Sequence, residues 1–199
     1  LLSQGLNAHY ATGSRAFTET LRKIIGLRGA AQFKYFNSYA QAQQNEIDIL
    51  VCDEAHRIRK TSNNRFTPRG QNSFKPQIQE ILDAAKTSVF FIDDKQVVRP
   101  DEIGSSGFIR EHAEKNGCRI FEYELEAQFR CAGSDGFVNW INNTLDIERT
   151  ANIIWEGDEA FDFRIFPSPQ ALNTAIRDKA RMGNTARMTA GFCWPWSDP

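Results

Sequence analysis

Residues 47–56 read Ile47-Asp48-Ile49-Leu50-Val51-Cys52-Asp53-Glu54-Ala55-His56. A short apolar run that stops at two carboxylates is typical of a buried parallel strand whose carboxyl end carries the acids. Open α/β sheets bind their ligands at that end of the strands. A helix N-terminus also favours acidic side chains, but it would not account for the apolar run. The pattern therefore predicts a strand that delivers Asp53 and Glu54 to a ligand-binding edge.

The order of the two acids indicates a chemistry. In nucleoside triphosphate hydrolysis a first carboxylate holds Mg²⁺, often through water, and a second orients or deprotonates the attacking water. We therefore expect Asp53 to be the magnesium ligand and Glu54 to be the catalytic base.

Strand and helix patterns alternate along the chain, which predicts an α/β fold with a mostly parallel sheet. We expect Ser14 to cap the first helix. The predicted strands lie at 6–12, 47–52, 88–92, 119–125, 161–166 and 186–192. The predicted helices lie at 15–25, within 30–44 after a loop, at 75–85, within 101–116, from 128 onward and at 170–182. A domain boundary is expected near Gly117 or after a helix that ends at about Leu145.

Composition and charge exclude few functions. The formal net charge of −1 gives no overall basic footprint for nucleic acid, although a neutral protein can carry a basic groove. The four cysteines form no CxxC pair and complete no zinc pattern with the three histidines. This cysteine usage indicates a reducing, cytoplasmic location. We expect neither a membrane span nor a secretory signal, because no apolar run is long enough.

Polar side chains also follow the other predicted strands. Gln96 follows the second apolar strand and could bridge a γ-phosphate and the attacking water. Arg130 opens a predicted helix and could supply a planar cation to the transferring phosphoryl group. Each residue has a simpler interpretation, as a turn residue or a surface charge. Their placement after successive strands favours the functional one.

The order of these motifs resembles that of superfamily 1 helicases and, more closely, the Schlafen group 3 helicase-like ATPase domain, also called DUF2075. The similar segments are Ala11-Thr12-Gly13-Ser14-Arg15-Ala16, the Walker B-like box Val51–Arg59, the coupling segment Val89–Pro100, Leu125–Cys131 and the tail Ala190–Ser197. The resemblance implies a RecA-like P-loop NTPase fold, a three-layer sandwich. Residues 1–117 would form part of the first RecA-like domain, and residues 118–199 would begin a second.

The resemblance also implies roles for single residues. The chain would be the middle part of an ATP-dependent helicase, translocase or remodelling ATPase that uses Mg²⁺ and acts on DNA or RNA. Gln96 would sense the γ-phosphate, and Arg130 would reach the nucleotide from the second domain. Nucleic acid would contact the segment that holds Thr12, Ser14 and Arg15. His56 would link the nucleotide site to the Gln96 turn, or would cap its local turn.

The chain departs from the family pattern in one respect. A P-loop ATPase needs a glycine-rich loop and a lysine to hold the phosphates, and no G-x-x-x-x-G-K-[S/T] occurs here. We expect a fragment truncated at both ends that lacks the Walker A segment and does not hydrolyse ATP alone. The alternative is a non-hydrolysing nucleic-acid-binding or scaffold module that keeps the fold. The basic loop at 57–73 either tracks a phosphate backbone or is a solvated face.

Overall fold

The computed structural model describes residues 2–96, 99–125, 135–157 and 162–190. The chain divides into two compact units, Leu1–Glu124 and Leu125–Pro199. The strands of the described residues are β1 (Ala8–Thr12), β2 (Phe33–Tyr35), β3 (Ile47–Asp53) and β4 (Ala85–Phe90). The α-helices are α1 (Arg15–Ile25), α2 (Leu27–Ala30), α3 (Gln77–Ala84), α4 (Ser106–Lys115), α5 (Asp135–Thr144) and α6 (Pro169–Arg181).

The strands of the first unit form one parallel sheet with the order β2-β1-β3-β4 among the described residues. β1 pairs with β3 from Ala8↔Ile49 to Thr12↔Asp53. On its other side, β3 pairs with β4 from Ile47↔Ala85 to Cys52↔Phe90. The predicted α/β fold with a parallel sheet is thus confirmed, and it agrees with a RecA-like arrangement.

One face of this sheet carries the core. Leu50 and Cys52 of β3 have no exposed surface, and neither do Ile78 and Ile81 of α3, which belong to the same apolar cluster. Successive side chains of a strand point to opposite faces, so Asp53 lies on the other face, where it is only partly buried. Burial alternates along β3 from Leu50 onward, and the acid at its end is only partly buried.

Helix α1 begins and ends where the sequence predicts. The Ser14 hydroxyl accepts a hydrogen bond from the backbone N–H of Phe17 at 3.4 Å, which satisfies a donor that the first turn leaves unpaired. Gly26 follows the helix at φ +78° and donates its N–H to the Arg22 carbonyl. A glycine adopts this backbone conformation without the steric cost of a Cβ.

Other predicted elements differ from the structure. β2 occupies part of the range where a loop and a helix were expected, and no α-helix lies between 31 and 44. β4 begins at Ala85, three residues before the predicted strand. The strand predicted at 119–125 is not formed; Glu122 instead accepts two hydrogen bonds from Arg110 of α4, at 2.6 and 2.5 Å. Residues 162–166 and 186–190 are also not strands.

The described part of the second unit contains α5, α6 and an aromatic cluster. Phe137 of α5 is buried, and the rings of Trp140 and Trp155 stack with centroids 5.9 Å apart. Phe163 meets Trp140 edge-on at 5.3 Å. This cluster supports the predicted apolar face of the helix, although Gln128 to Arg130 lie outside the described residues. Within the described ranges, no helix is both long and apolar enough to span a bilayer.

Candidate active site

The two acids lie where β3 ends. Asp53 is the last residue of the strand, and Thr12 is its partner across the ladder. The hydroxyl of Tyr10, on β1, donates a hydrogen bond to Oδ2 of Asp53. Burial raises the pKa of Tyr10, and the hydrogen bond to Asp53 raises it further. The tyrosine therefore stays protonated as a donor to the carboxylate.

Glu54 lies in a tight turn directly after the strand. Its backbone is left-handed, with φ 54° and ψ 46°, a conformation that costs free energy for a residue with a Cβ. The turn is fixed on both sides by Phe91, which donates its N–H to the Cys52 carbonyl and accepts at its own carbonyl from the N–H of Ala55, both at 2.9 Å. The side chain of Glu54 is 40% exposed.

His56 is buried in the same turn, two residues after Glu54. Its Nε2 is 3.2 Å from Oε2 of Glu54, and the imidazole is 5% exposed. The other ring nitrogen, Nδ1, has no hydrogen-bond partner in the described structure. Such an unsatisfied buried nitrogen is uncommon in proteins. The contact orients the imidazole towards Glu54, and the two described side chains of His56 and Gln96 form no hydrogen bond with each other.

Gln96 belongs to a turn that follows β4. Its backbone N–H donates to the Asp93 carbonyl at 3.1 Å, and its side-chain amide donates to Oδ2 of Asp93 at 2.9 Å. Asp94, in the same turn, accepts from the N–H of Ser106 at the start of α4 at 2.8 Å. The turn is thereby tied to α4. Gln96 makes no hydrogen bond to Asp53 or Glu54 within the described residues.

The segment after the Gln96 turn packs directly on the turn after Glu54. Ile103 donates its N–H to the Ile58 carbonyl at 2.7 Å. A Cβ added to Gly104 would lie 2.0 Å from the Ala55 carbonyl oxygen, so only glycine permits this approach. Arg57 Nε donates to the buried carboxylate of Glu102 at 3.2 Å. The chain segments that follow β3 and β4 are thus joined.

The segment after β1 also meets the turn after β3. A Cβ on Gly13 would lie 2.7 Å from Cβ of Arg57. Thr12 is 1% exposed, and its hydroxyl accepts from the Ser14 N–H at 3.2 Å. Of the three predicted nucleic-acid contacts, Thr12 and Ser14 are thus engaged in the turn. Arg15 is 84% exposed and pairs with Glu19 at 2.7 Å.

The basic loop at 57–73 is anchored at its base by buried polar groups. Oε1 of Gln77 accepts from the N–H of Arg59 at 2.9 Å, and its amide donates to the Ser62 hydroxyl at 3.0 Å. Ser62 in turn donates to the buried carboxylate of Glu80. Further along, Phe66 is 77% exposed and lies under the guanidinium of Arg65. The loop is therefore fixed near β3 and exposed near its middle.

The structure brings Asp53, Glu54 and His56 together at the carboxyl end of β3. It places the Gln96 turn after the adjacent strand, β4, as the sequence predicts. Arg130 lies outside the described residues. Sequence reasoning missed Tyr10, whose contact with Asp53 becomes evident only when β1 and β3 are placed side by side. It also missed Gly104, since a steric requirement of this kind has no local signal.

Comparison with known proteins places the chain in a family. It is 25% identical, over 173 residues, to the uncharacterized protein YPL245W of Saccharomyces cerevisiae, an alignment that covers 75% of this chain and 36% of the yeast protein. The chain thus spans about a third of the length of that relative. No solved structure matches it. Residues 2–199 match the family described as Schlafen group 3, DNA/RNA helicase domain, and the chain belongs to that family.

Proposed function

We propose that the chain is the central part of an ATP-driven helicase, translocase or remodelling ATPase that acts on DNA or RNA. ATP hydrolysis in the full-length protein would take place at the carboxyl end of β3. One observation carries this proposal: two adjacent carboxylates end a central parallel strand, and each contacts a different side chain. Tyr10 bonds Asp53, and His56 contacts Glu54.

Asp53 fits a Mg²⁺ ion that arrives with a nucleotide. Tyr10 occupies its Oδ2, while its Oδ1 has no hydrogen-bond partner among the described residues. The described residues hold no group of three or more His, Cys, Asp and Glu side chains that could bind a metal without a nucleotide. Mg²⁺ in nucleotide sites is bound through one or two carboxylates together with substrate phosphates. Once bound, it would neutralise charge on those phosphates.

Glu54 would act as the general base. Its carboxylate is 40% exposed, so water can reach it, while His56 contacts one of its oxygens from the buried side. A carboxylate in this position can orient a water molecule and accept its proton as the water attacks the γ-phosphate. The left-handed backbone at Glu54 turns the chain immediately after the strand. The side chain of Glu54 is therefore attached directly at the carboxyl edge of the sheet.

Gln96 and Arg130 would complete the site. The Gln96 amide gives one N–H to Asp93, which leaves a second N–H and a carbonyl oxygen for a phosphate and a water. Arg130 would supply a planar cation that stabilises charge in the transition state. Its role rests on the resemblance of the segment Leu125–Cys131. In this proposal the unit Leu125–Pro199 corresponds to the beginning of a second RecA-like domain.

Nucleic acid would bind near the start of α1. Membership of a DNA/RNA helicase domain family supports nucleic acid as the partner. Among the three candidate contacts, Arg15 presents an exposed cation, whereas Thr12 and Ser14 would contribute through the backbone they fix. The free thiols of Cys52 and Cys118 support a reducing, cytoplasmic location.

Glu54→Gln in the full-length protein tests this proposal. Glutamine keeps the size of the side chain but cannot take a proton at neutral pH, so phosphate release should fall by at least about 100-fold. ATP affinity should stay within about two-fold. Glu111→Gln is the matched control, because Glu111 pairs with Lys115 on the exposed surface of α4, and it should keep full turnover.

Two results would contradict the proposal. If Glu54→Gln released phosphate at the wild-type rate, Glu54 would not be the general base. A full-length protein that binds nucleic acid but releases no phosphate would favour the alternative, a scaffold that keeps the fold without hydrolysis.

A further inference from the structure

Tyr10 and Asp53 lie on the same face of the sheet. Tyr10 pairs with Val51 across the ladder between β1 and β3, and side chains of directly paired residues point to the same face. Asp53 follows Val51 by two residues, so it also points to that face. Diagonal neighbours of this kind are within reach of an aromatic side chain, and the Tyr10 hydroxyl reaches Asp53 Oδ2.

The ring of Tyr10 is held by aromatic neighbours. Its centroid lies 5.8 Å from that of Phe33 on β2 and 6.3 Å from that of Phe17 on α1. These contacts restrict the ring from two sides, and the backbone of Tyr10 is fixed by its ladder. The position of the hydroxyl is therefore fixed. Its hydrogen bond to Oδ2 sets the rotation of the Asp53 carboxylate about the Cβ–Cγ bond.

We propose that Tyr10 is a positioning residue for the metal site, holding one oxygen of Asp53 so that the other faces the Mg²⁺ of a bound nucleotide. This inference rests on the proposed function, because it takes Asp53 as the magnesium ligand. Hydrogen bonds to a ligating carboxylate fix its orientation, and their loss commonly weakens metal binding by about 10- to 100-fold.

A purely structural tie between β1 and β3 is the competing interpretation. Such a tie already exists at the opposite end of these strands, where Oδ2 of Asp48 accepts from the backbone N–H of Asn7 at 2.8 Å. The Tyr10 contact differs because it engages the acid at the carboxyl end, next to the proposed base. A structural role predicts a loss of stability alone, whereas a positioning role predicts a loss of metal affinity.

Mn²⁺ affinity distinguishes the two roles. We would titrate the full-length protein with Mn²⁺ in the presence of ADP and measure free Mn²⁺ by electron paramagnetic resonance. Tyr10→Phe keeps the ring and removes the hydroxyl, and it should weaken Mn²⁺ binding by about ten-fold. Tyr39→Phe is the matched control, since the Tyr39 hydroxyl contacts His9 at 3.3 Å, on the other face of the sheet. It should leave Mn²⁺ binding unchanged, and thermal melting would report the stability of both variants.

Asp53→Asn separates the two proposals. If Asp53→Asn abolishes Mn²⁺ binding while Tyr10→Phe binds as wild type, Tyr10 is a structural residue and only this inference fails. Tyr10 is likewise a structural residue if Tyr10→Phe and Tyr39→Phe weaken binding equally. If Asp53→Asn itself binds Mn²⁺ as wild type, Asp53 is not the metal ligand, and both the metal site and the role of Tyr10 are wrong.

Discussion

Nε2 of His56 lies 3.2 Å from Oε2 of Glu54, with the imidazole almost fully buried and the glutamate side chain 40% exposed. The contact joins a fixed group to a solvent-facing one. A glutamate in a turn has several staggered rotamers open to it, and a buried neighbour on one side reduces that number. The contact therefore pre-organises the proposed base without closing it off from water.

Replacing His56 should consequently affect turnover more than substrate binding. In the full-length protein, His56→Ala should lower kcat by about ten-fold, because the proposed base loses its orientation, while KM for ATP stays within about two-fold. His56→Gln should recover part of the rate, since its amide can also donate to Glu54. His112→Ala is the control, because His112 contacts its own helix at the Phe108 carbonyl. If His56→Ala instead raised KM by the same factor by which it lowered kcat, His56 would not act by positioning Glu54.

The left-handed backbone of Glu54 predicts a gain in stability when this glutamate is replaced by asparagine. Asparagine tolerates this conformation better than glutamate, but Glu54→Asn also removes the contact with the buried His56. Introduced into His56→Ala, Glu54→Asn should therefore raise the free energy of unfolding relative to His56→Ala alone, by part of the roughly 1–3 kcal/mol that a left-handed backbone costs a residue with a Cβ. The reverse exchange is available at Asn45, an exposed residue with φ 58°. Asn45→Glu should lower the free energy of unfolding by a similar amount. Urea denaturation of both variants would test this, and equal destabilisation by both would contradict it.

The contact between Gly104 and the turn after Glu54 predicts a strong steric effect. Gly104→Ala would place a methyl group 2.0 Å from the Ala55 carbonyl oxygen, and overpacking of this kind costs about 1–3 kcal/mol or more. Gly107→Ala is the matched control three residues later. Its Cβ would meet nothing within 4 Å, and alanine stabilises a helix by about 1 kcal/mol relative to glycine. The two variants should therefore shift the urea midpoint in opposite directions, and a joint shift would contradict the close approach.

The stability of the fold should depend on pH through Asp48, which lies at the amino end of the sheet. The pKa of Asp48 is lowered by its hydrogen bond from Lys86, at 2.7 Å, and by the N–H of Asn7. A carboxylate with a depressed folded-state pKa stabilises the fold above its unfolded pKa, and that contribution is lost as the pH falls through the folded value. Wild type should thus be more stable than Asp48→Asn at neutral pH, with the difference shrinking once the pH falls below about 4, the unfolded pKa of an aspartate, and disappearing below the depressed folded-state pKa. Urea denaturation at several pH values would measure this difference in the free energy of unfolding. A difference that does not change with pH would exclude the Asp48–Lys86 pair as its cause.

The elements predicted well are those with strong local signals. β3 has an apolar run with acids at its end, and α1 has a cap, an apolar face and a glycine stop, so each could be assigned without knowledge of its partners. β2 has only three residues, too few for a pattern. Its formation depends on pairing with β1 and on Arg22, whose Nε donates to the Phe33 carbonyl at 2.9 Å. The alternation at 119–125 suggested a strand, but a strand needs a partner, and Glu122 pairs with Arg110 instead.

The same distinction between local signals and distant contacts applies to the candidate site. Asp53 and Glu54 were predictable because their position depends on a single strand. Their supports were not, since Tyr10 reaches Asp53 across a ladder and Gly104 approaches Ala55 from a segment nearly fifty positions later. Side chains that act through a neighbour leave no spacing signature in the sequence. The contact partners of the acids therefore had to come from the structure.

The buried anchor of the basic loop has an evolutionary consequence. The buried residues Gln77 and Glu80 of α3 form hydrogen bonds with Arg59 and Ser62. A residue inserted between β3 and Ser62 would shift Ser62 along the chain and break these hydrogen bonds. The stretch around Phe66 is instead an exposed turn with local hydrogen bonds, such as that from the Phe66 N–H to Oδ1 of Asn64 at 2.8 Å, and an exposed turn can change length without disturbing the buried network. Relatives of this chain should differ in loop length around Phe66 while keeping a constant spacing from Asp53 to Ser62.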